Sequence, residues 1–370
     1  MKKVLIISKA FYPEISPRSF RTTQLANELV RQGCDVTVML PNLNEDYYLE
    51  YTKEHKINFL NIGNTSFDKF TNESLIARII RRILQLSTEF PTVELSFLLK
   101  KALKKMSDYD LLISIAVPHP IHWGVAWAMK KNDVLTKKWV ADCGDPFMGC
   151  KTDVYKKFFY FKYIEKFWCR KCDYIAVPVE VMIDDFYPEF KAKIKIIPQG
   201  FDFDEVKINS FKKQNNQIKI IYAGSLVPHF RNPIPLLDYL IKLDIDFKFI
   251  FYNDSNIVEN HPLYKTGKLE VRNYISRIEL IKEMSQADFL VNFENLILDN
   301  KNSNSSKVNY SSPSKLIDYS ISKRPVLSIG SKLDEKVILQ FLKGDYTNKM
   351  QLPDVENYNI KNVAQKFLTL

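Results

Sequence analysis

The sequence has 370 residues, enough for two ordinary domains, and its 46% hydrophobic and 26% charged content excludes a disordered chain. The formal net charge of +10 favours acidic partners such as nucleotide phosphates, anionic lipid headgroups or nucleic acid. The first apolar run, 4–7, is too short for a signal peptide, and Pro118 and Pro120 interrupt the longest uncharged stretch. These features predict a cytoplasmic protein without a transmembrane helix.

The first half of the sequence alternates apolar runs with helical spacing. Leu25, Leu29 and Val30 place a helix after the first run, and Gly33 ends it. Because the apolar runs are continuous rather than alternating, they favour a parallel sheet that is covered on both faces. The predicted strands are 4–7, 36–40, 57–62, 111–115, 138–141, 174–177 and 194–198.

The alternation of apolar runs with helical spacing begins again in the second half, which predicts two domains. The N-terminal domain is expected at 1–205, a polar linker at 206–217 and the C-terminal domain at 218–355, with a helix at about 356–370 packing back on the first. Two successive α/β patterns predict doubly wound, Rossmann-like domains that face each other across a cleft. The predicted elements are strands at 218–223, 247–252, 289–292 and 325–329, and helices at 235–243, at 277–285 and from Pro313.

Several classes of protein are disfavoured by motifs that the sequence lacks. None of the ten glycines forms a dinucleotide-binding fingerprint or a P-loop, and there is no H-E-x-x-H and no serine nucleophile elbow. The acidic triplets 202–204 and 244–246 lie near the domain boundary and in a turn, so no metal site is predicted. Cys169 and Cys172 have the spacing of a redox or metal pair, but no second pair follows, and free thiols are the simpler interpretation.

Short motifs follow one another in a characteristic order. The first half contains FYP (11–13), SPRSFR (16–21), AVPHPIHWG (116–124) and WVADCGDPF (139–147), and the second contains IYAGSL (221–226), RNP (231–233), YIS (274–276), PSKLIDY (313–319) and RPVL (324–327). Over nearly its whole length the chain resembles the glycosyltransferase group 1 proteins, the retaining family-4 branch of the GT-B enzymes, especially bacterial members that build surface polysaccharides.

The resemblance implies a hexosyltransferase-type enzyme of polysaccharide biosynthesis. Its donor would be a nucleotide sugar and its acceptor a lipid-linked glycan or another oligosaccharide, with no cofactor and no catalytic metal. A nucleotide-sugar epimerase of the same fold is an alternative. A basic nucleic-acid-binding protein is a second alternative, but no RNA-binding motif supports it, so nucleic acid is not an expected partner.

The resemblance also implies donor-binding residues in the second domain. A helix that begins at Pro313 offers free N–H groups and a positive dipole end to a diphosphate, and Lys315 adds a charge. Asp318, one turn later, is suited to the ribose hydroxyls. The family's paired acids lie eight residues apart, but Tyr310 stands in the first position, which leaves the donor sugar open. The predicted donor-binding residues are Gly224, Arg231, Tyr274, Ile275, Tyr310, Ser314, Lys315 and Asp318, with Arg231 and Lys315 also catalytic.

Four residues of the first domain are predicted on the acceptor side. His122 is expected to donate to sugar hydroxyls or sense the acceptor, or else to be a histidine at the edge of the core whose hydrogen bonds are made by backbone. Asp145 is expected to orient an acceptor hydroxyl, and these two are also predicted to be catalytic. Asp142 points into the cleft or caps a turn, and Arg21 supplies charge at the start of a helix or is a solvated arginine.

Two basic amphipathic helices are predicted within 73–106, where leucines and isoleucines alternate with arginines and lysines. One interpretation is docking on the inner face of an anionic membrane, which would make the protein peripheral. The alternative is a pair of ordinary helices that face the core. Residues 299–312, rich in Asn and Ser, predict a mobile loop that is either a lid or a surface insertion.

Overall fold

A computed structural model describes residues 1–66, 74–129, 134–150, 156–206, 208, 210–211, 213, 216–226, 231–253, 256–294, 313–330, 332–352 and 354–370. They form two compact units: unit 1 comprises 1–201 and 359–370, and unit 2 comprises 202–358. The segment predicted as a linker thus falls within unit 2, and the chain leaves unit 1 at Phe201. The predicted loop 299–312, with Tyr310, lies outside the described residues.

Unit 1 is built on a parallel sheet. Its strands are β1 (Lys3–Ile7), β2 (Asp35–Pro41), β3 (Ile57–Gly63), β4 (Leu111–Ala116), β5 (Trp139–Cys143), β6 (Tyr174–Val177) and β7 (Ile194–Ile196). Its helices are α1 (Pro17–Arg31), α2 (Glu45–His55), α3 (Leu75–Thr88), α4 (Glu94–Ala102), α5 (Pro120–Met129), α6 (Phe161–Lys171) and α11 (Ile360–Thr369). The strands lie in the order β3-β2-β1-β4-β5-β6-β7.

The apolar character of the strands explains why this sheet lies at the centre of unit 1. Every residue of β4 and of β5 is buried, as expected for strands that are covered on both faces. The N-terminus of α1 is fixed by the Ser16 hydroxyl, which accepts the backbone N–H of Ser19, and by Pro17 at the first helical position. Helix α11 adds Ile360, Val363 and other apolar side chains to the same core.

Unit 2 repeats the arrangement on a smaller scale. Its elements are β8 (Ile218–Ala223), α7 (Ile234–Leu240), β9 (Phe247–Tyr252), β10 (Leu269–Arg272), α8 (Arg277–Ser285), β11 (Phe289–Phe293), α9 (Pro313–Ser322), β12 (Val326–Ile329) and α10 (Glu335–Leu342). The parallel strands lie in the order β10-β9-β8-β11-β12. Strand order reverses between β8 and β11, and the carboxyl ends of strands at such a point form the usual ligand crevice of a doubly wound sheet.

The two sheets confirm the predicted α/β class with two Rossmann-like units. None of the five cysteines, all of which are described, forms a disulfide. Among the residues that are described, no helix has both the length and the apolar content needed to cross a membrane.

Candidate functional site

Three of the residues predicted to bind a donor, Gly224, Arg231 and Lys315, lie together near the carboxyl end of β8 in unit 2. Gly224 follows this strand directly, and its φ of +140° is a conformation that side-chain-bearing residues rarely adopt. A Cβ atom built there would lie 3.8 Å from the Nζ atom of Lys315, an ordinary contact distance. Glycine is therefore required here by backbone conformation, and the Lys315 amine lies beside it.

Lys315, the third residue of α9, holds its amine over two aromatic rings. The Nζ atom lies 4.0 Å from the ring centroid of Tyr222 and 5.3 Å from that of Tyr319. This atom is buried and makes no hydrogen bond. The two aromatic rings attract the charged amine through their quadrupoles. They accept no conventional hydrogen bond from it, so all three N–H donors of the amine are available to a ligand.

Arg231 places a second cation at the same end of the sheet. Its Nη1 atom donates to the Ser225 hydroxyl at 3.3 Å, while its buried Nε atom makes no hydrogen bond. Burial raises the pKa of Tyr222 to about 12, so its hydroxyl stays neutral, and this hydroxyl donates to the Ser225 carbonyl. Lys315 and Arg231 are called the cation pair below.

The cation pair is under electrostatic strain that an anion would relieve. Burial, assisted by the positive charge of Arg231, lowers the pKa of Lys315 to about 7. Within the described part of unit 2, neither member forms a salt bridge with a carboxylate. A phosphate group between them would satisfy unused donors and restore the charge on Lys315.

The start of α9 adds a dipole to these charges. The helix has ten residues and begins at Pro313, as predicted, with Ser314 second and Lys315 third. The structure describes Ser314 as part of this helix but not its side chain. The first N–H groups of a helix lack intrahelical acceptors and carry partial positive charge, so they favour an anion at the position where the Lys315 amine lies.

Asp318, one turn into α9, has a partner that the sequence did not predict. The Nε atom of Arg277 donates to its carboxylate at 2.7 Å, and only 16% of the Asp318 side chain is exposed. Burial raises the pKa of this carboxyl, and Arg277 acts in the opposite direction. Arg277 is the first residue of α8, whose start is fixed by a capping box between Ser276 and Glu279. A ribose would thus meet an Asp–Arg pair rather than a lone acid.

Tyr274 and Ile275 lie in the connection between β10 and α8, directly before Arg277. Both side chains are solvent-exposed, 57% for Tyr274 and 40% for Ile275. An exposed aromatic ring at the carboxyl end of a sheet offers a flat apolar surface, which is what a nucleobase stacks on. Their place beside the base stays a prediction.

In unit 1, Arg21 and Asp142 form a buried ion pair. The Nε and Nη2 atoms of Arg21 each lie 3.0 Å from a carboxylate oxygen of Asp142, and both side chains are buried. Arg21 also donates to the carbonyls of Ile197 and Pro198. The alternative of a solvated arginine is therefore wrong. This bidentate pair ties α1, β5 and the segment after β7 together.

Asp145 is the most exposed of the predicted acceptor-side residues. Its carboxylate pairs with the Nη2 atom of Arg18 at 2.7 Å, and 56% of its side chain is exposed. The Arg18 guanidinium covers Gly144, where a Cβ atom would lie 1.7 Å from its Nη1 atom. Gly144 therefore makes room for an arginine that the sequence did not single out as a site residue.

His122 is buried, and both of its ring nitrogens have protein partners. Its Nδ1 atom lies 2.8 Å from the Ser114 hydroxyl, and its Nε2 atom lies 3.4 Å from the Sγ atom of Cys143. Burial lowers its pKa to about 3, so the ring is neutral. This environment matches the alternative of a core histidine, although the partners are side chains rather than backbone. His119, which was not predicted as a site residue, makes no hydrogen bond at either ring nitrogen.

No protein-family model matches the sequence, and no curated protein matches it significantly. Solved structures do match in fold. A glycosyltransferase from Rickettsia africae ESF-5 is 12% identical with a TM-score of 0.56, covering 100% of this chain and 97% of that one. The apo form of the lipopolysaccharide outer core galactosyltransferase WaaB is 11% identical with a TM-score of 0.57, at 99% and 98% coverage.

A third similar structure contains ligands. The Anabaena protein HepE, solved with UDP and glucose, is 10% identical with a TM-score of 0.55, covering 100% of this chain and 99% of that one. Identities this low establish the fold alone. The architecture of this chain is that of the GT-B glycosyltransferases.

Proposed function

We propose that this chain is a glycosyltransferase that moves a sugar from a nucleotide-sugar donor to a lipid-linked or other oligosaccharide acceptor, as in the retaining family-4 branch of GT-B enzymes. The cation pair carries the proposal. The buried amine of Lys315 lies beside Gly224, the positive charge of Arg231 acts on it, and both side chains have buried donors without a partner. This combination suits a diphosphate, the group common to nucleotide-sugar donors.

In the proposed reaction, the bond between the sugar's anomeric carbon and the diphosphate breaks, and its electron pair goes to the phosphate oxygen. Lys315, Arg231 and the first N–H groups of α9 stabilise the charge that develops there, in place of a metal ion. The acceptor hydroxyl attacks the same face, and its proton passes to the leaving phosphate oxygen. Configuration at the anomeric carbon is then retained.

The donor's nucleoside is assigned to the neighbouring residues of unit 2. The Asp318–Arg277 pair offers both an acceptor and donors to the ribose, and Tyr274 with Ile275 offers a surface to the base. On the acceptor side, we assign Asp145 the role of orienting the hydroxyl, since its carboxylate is exposed. Arg21, Asp142 and His122 act as supports, because their polar atoms are engaged within unit 1.

The first test is a calorimetric titration of nucleoside diphosphates in the presence of a chelator. Binding is expected without magnesium. It should also take up protons, because Lys315 has a pKa of about 7 in the free protein and a bound diphosphate favours its charged form. Affinity should therefore fall as the pH rises above 7. Measuring the heat in two buffers of different ionisation enthalpy detects the proton uptake.

The matched control for this titration is Lys336→Ala, which removes an exposed lysine from the second position of α10. It should bind like the unaltered protein, whereas Lys315→Ala should lose both the proton uptake and about tenfold in affinity, the scale of one charged hydrogen bond. A strict magnesium requirement would contradict the proposed metal-free site. Conversion of a nucleotide sugar without consumption of an acceptor would identify an epimerase, and stabilisation by nucleic acid alone would overturn the whole assignment.

The acceptor's lipid character is supported by α3. No residue of this helix is buried, and its apolar stripe, which includes Ile76, Ile79 and Ile83 at helical spacing, is more than half exposed. An ordinary core-facing helix buries such a stripe. Arg78, Arg81 and Arg82 flank it. We assign this face to an anionic membrane surface, which attracts basic side chains and accepts apolar ones.

The alternative of a core-facing helix applies to α4 instead. Leu95 and Leu99 of α4 are buried, as is Leu103 just beyond its end, while Phe97 is exposed. Only α3 therefore presents the full apolar stripe outward, and membrane docking is assigned to α3 alone.

Vesicle co-sedimentation tests this assignment. The protein should pellet with vesicles containing anionic lipid, and less so as salt rises, because the arginine contribution is screened. Ile79→Asp with Ile83→Asp should abolish the pelleting, whereas Leu49→Asp, at an exposed leucine of α2, should not. Equal recovery with neutral vesicles, or pelleting that survives the double substitution, would count against docking by α3.

A further inference from the structure

Three potential metal ligands meet in the interior of unit 1, on residues that the proposed reaction does not use. His119, His122 and Cys143 are all buried, and their ligand atoms lie within 4.8 Å of one another. His122 lies in the first turn of α5, and its backbone N–H donates to the carbonyl of His119 in the turn just before the helix. Cys143 is the last residue of β5, where it is paired in register with Ala116 at the end of β4.

The separation between His122 and Cys143 fits the coordination of a zinc ion. The Nε2 atom of His122 lies 3.4 Å from the Cys143 Sγ atom. Zinc binds imidazole nitrogen at about 2.0 Å and thiolate sulfur at about 2.3 Å, so two such ligands at a tetrahedral angle lie about 3.5 Å apart. The observed separation requires almost no movement of either side chain.

The surroundings of His122 orient it as a ligand. Its Nδ1 atom lies 2.8 Å from the Ser114 hydroxyl, which also accepts the indole N–H of Trp139 at 2.8 Å. A hydroxyl oxygen has two lone pairs, so it can accept both donors. In that tautomer Nδ1 carries the proton, and Nε2 turns a lone pair toward Cys143. A hydrogen bond of this kind from the far nitrogen is typical of metal-binding histidines.

The environment of His119 is a second, independent observation in favour of a metal ion. Its ring is buried, yet neither nitrogen makes a hydrogen bond, which is unfavourable for a buried polar group. An imidazole nitrogen binds a metal ion through a lone pair, so an ion here would give a buried nitrogen of His119 a partner. Cys143 would bind the ion as a thiolate, so zinc binding would displace the thiol proton.

We propose that His119, His122 and Cys143 bind one zinc ion, which links the start of α5 to the end of β5. The three side chains supply three ligands and leave a fourth position for a small ligand such as water. This site is separate from the metal-free donor site proposed in unit 2. This assigns unit 1 a metal that the sequence analysis did not predict.

The test is the metal content of the full-length protein, purified without a metal-binding tag from zinc-supplemented medium. About one zinc per chain is expected by elemental analysis. After exchange with cobalt, a thiolate-to-cobalt charge-transfer band should appear. Cys143→Ser should lose the band and the tight zinc. Cys169→Ser, which removes another buried thiol outside the cluster, should keep both.

Two outcomes would overturn the proposal: a folded unaltered protein that takes up neither zinc nor cobalt, or a cobalt band that depends on Cys169 rather than Cys143. The measurement on the unaltered protein needs no variant, so it decides the question even if Cys143→Ser does not fold. Because the readout is metal content and not sugar transfer, its result is independent of the proposed glycosyltransferase activity.

Discussion

Replacing Lys315 by alanine is expected to lower sugar transfer at least about a hundredfold, the scale of losing one preorganised group at a leaving anion. The amine is buried beside Gly224 without a hydrogen-bond partner, so its donors are available to the departing diphosphate. Arg231→Ala should have an effect of similar size for the same reason. The measurement is single-turnover transfer at saturating donor, which separates the rate of the chemical step from binding.

The two substitutions should not be additive when combined. Each side chain contributes to one charged site, and Arg231 lowers the pKa of Lys315, so removing the arginine leaves Lys315 more fully protonated at neutral pH. Lys336→Ala should transfer at the normal rate. If Lys315→Ala and Arg231→Ala both turned over near-normally, the diphosphate would have to bind elsewhere.

Replacing Arg21 by methionine is expected to destabilise unit 1 by about 3–5 kcal/mol, the usual cost of leaving one partner of a buried ion pair uncompensated. Asp142 would remain buried without its two hydrogen bonds, and the carbonyls of Ile197 and Pro198 would lose a donor. Urea unfolding followed by tryptophan fluorescence measures the effect. All four tryptophans (Trp123, Trp127, Trp139 and Trp168) belong to unit 1, so the signal reports on that unit.

A double substitution separates the charge from the packing. Arg21→Met combined with Asp142→Leu should recover much of the lost stability, because no unpaired charge stays buried. Arg31→Ala, on the same helix but half exposed, should change stability by less than about 1 kcal/mol. An Arg21→Met variant as stable as the unaltered protein would mean that the pair contributes nothing to the fold.

The strands were predictable because burial on both faces produces continuous apolar runs. Strand β10 was not predicted, since its sequence alternates Leu269 and Val271 with two charged residues. It lies at the edge of its sheet, where Glu270 and Arg272 pair with each other at 2.6 Å. An edge strand needs only one apolar face, so four residues of this kind give too weak a pattern to recognise.

For the candidate site, the sequence indicated which residues meet at a helix start but not what each side chain contacts. The order of the short motifs was enough to predict that Gly224, Arg231 and Lys315 lie together. The partners of Asp318 and Asp142 were not predictable, because Arg277 lies 41 residues from the first and Arg21 lies 121 residues from the second. No local periodicity encodes such pairs, which exist only after the sheets have formed.

The return of the chain to unit 1 after residue 358 has a consequence for biosynthesis. Domains usually fold in the order in which the ribosome releases them. Here Ile360, Val363 and Phe367 complete the core of unit 1, and the Ile360 N–H donates to the Phe201 carbonyl. The nascent unit 1 must therefore wait, with part of its core uncovered, until all of unit 2 has been translated. Unit 2, which is contiguous, has no such delay, so the second unit to be synthesised is the first that can finish folding.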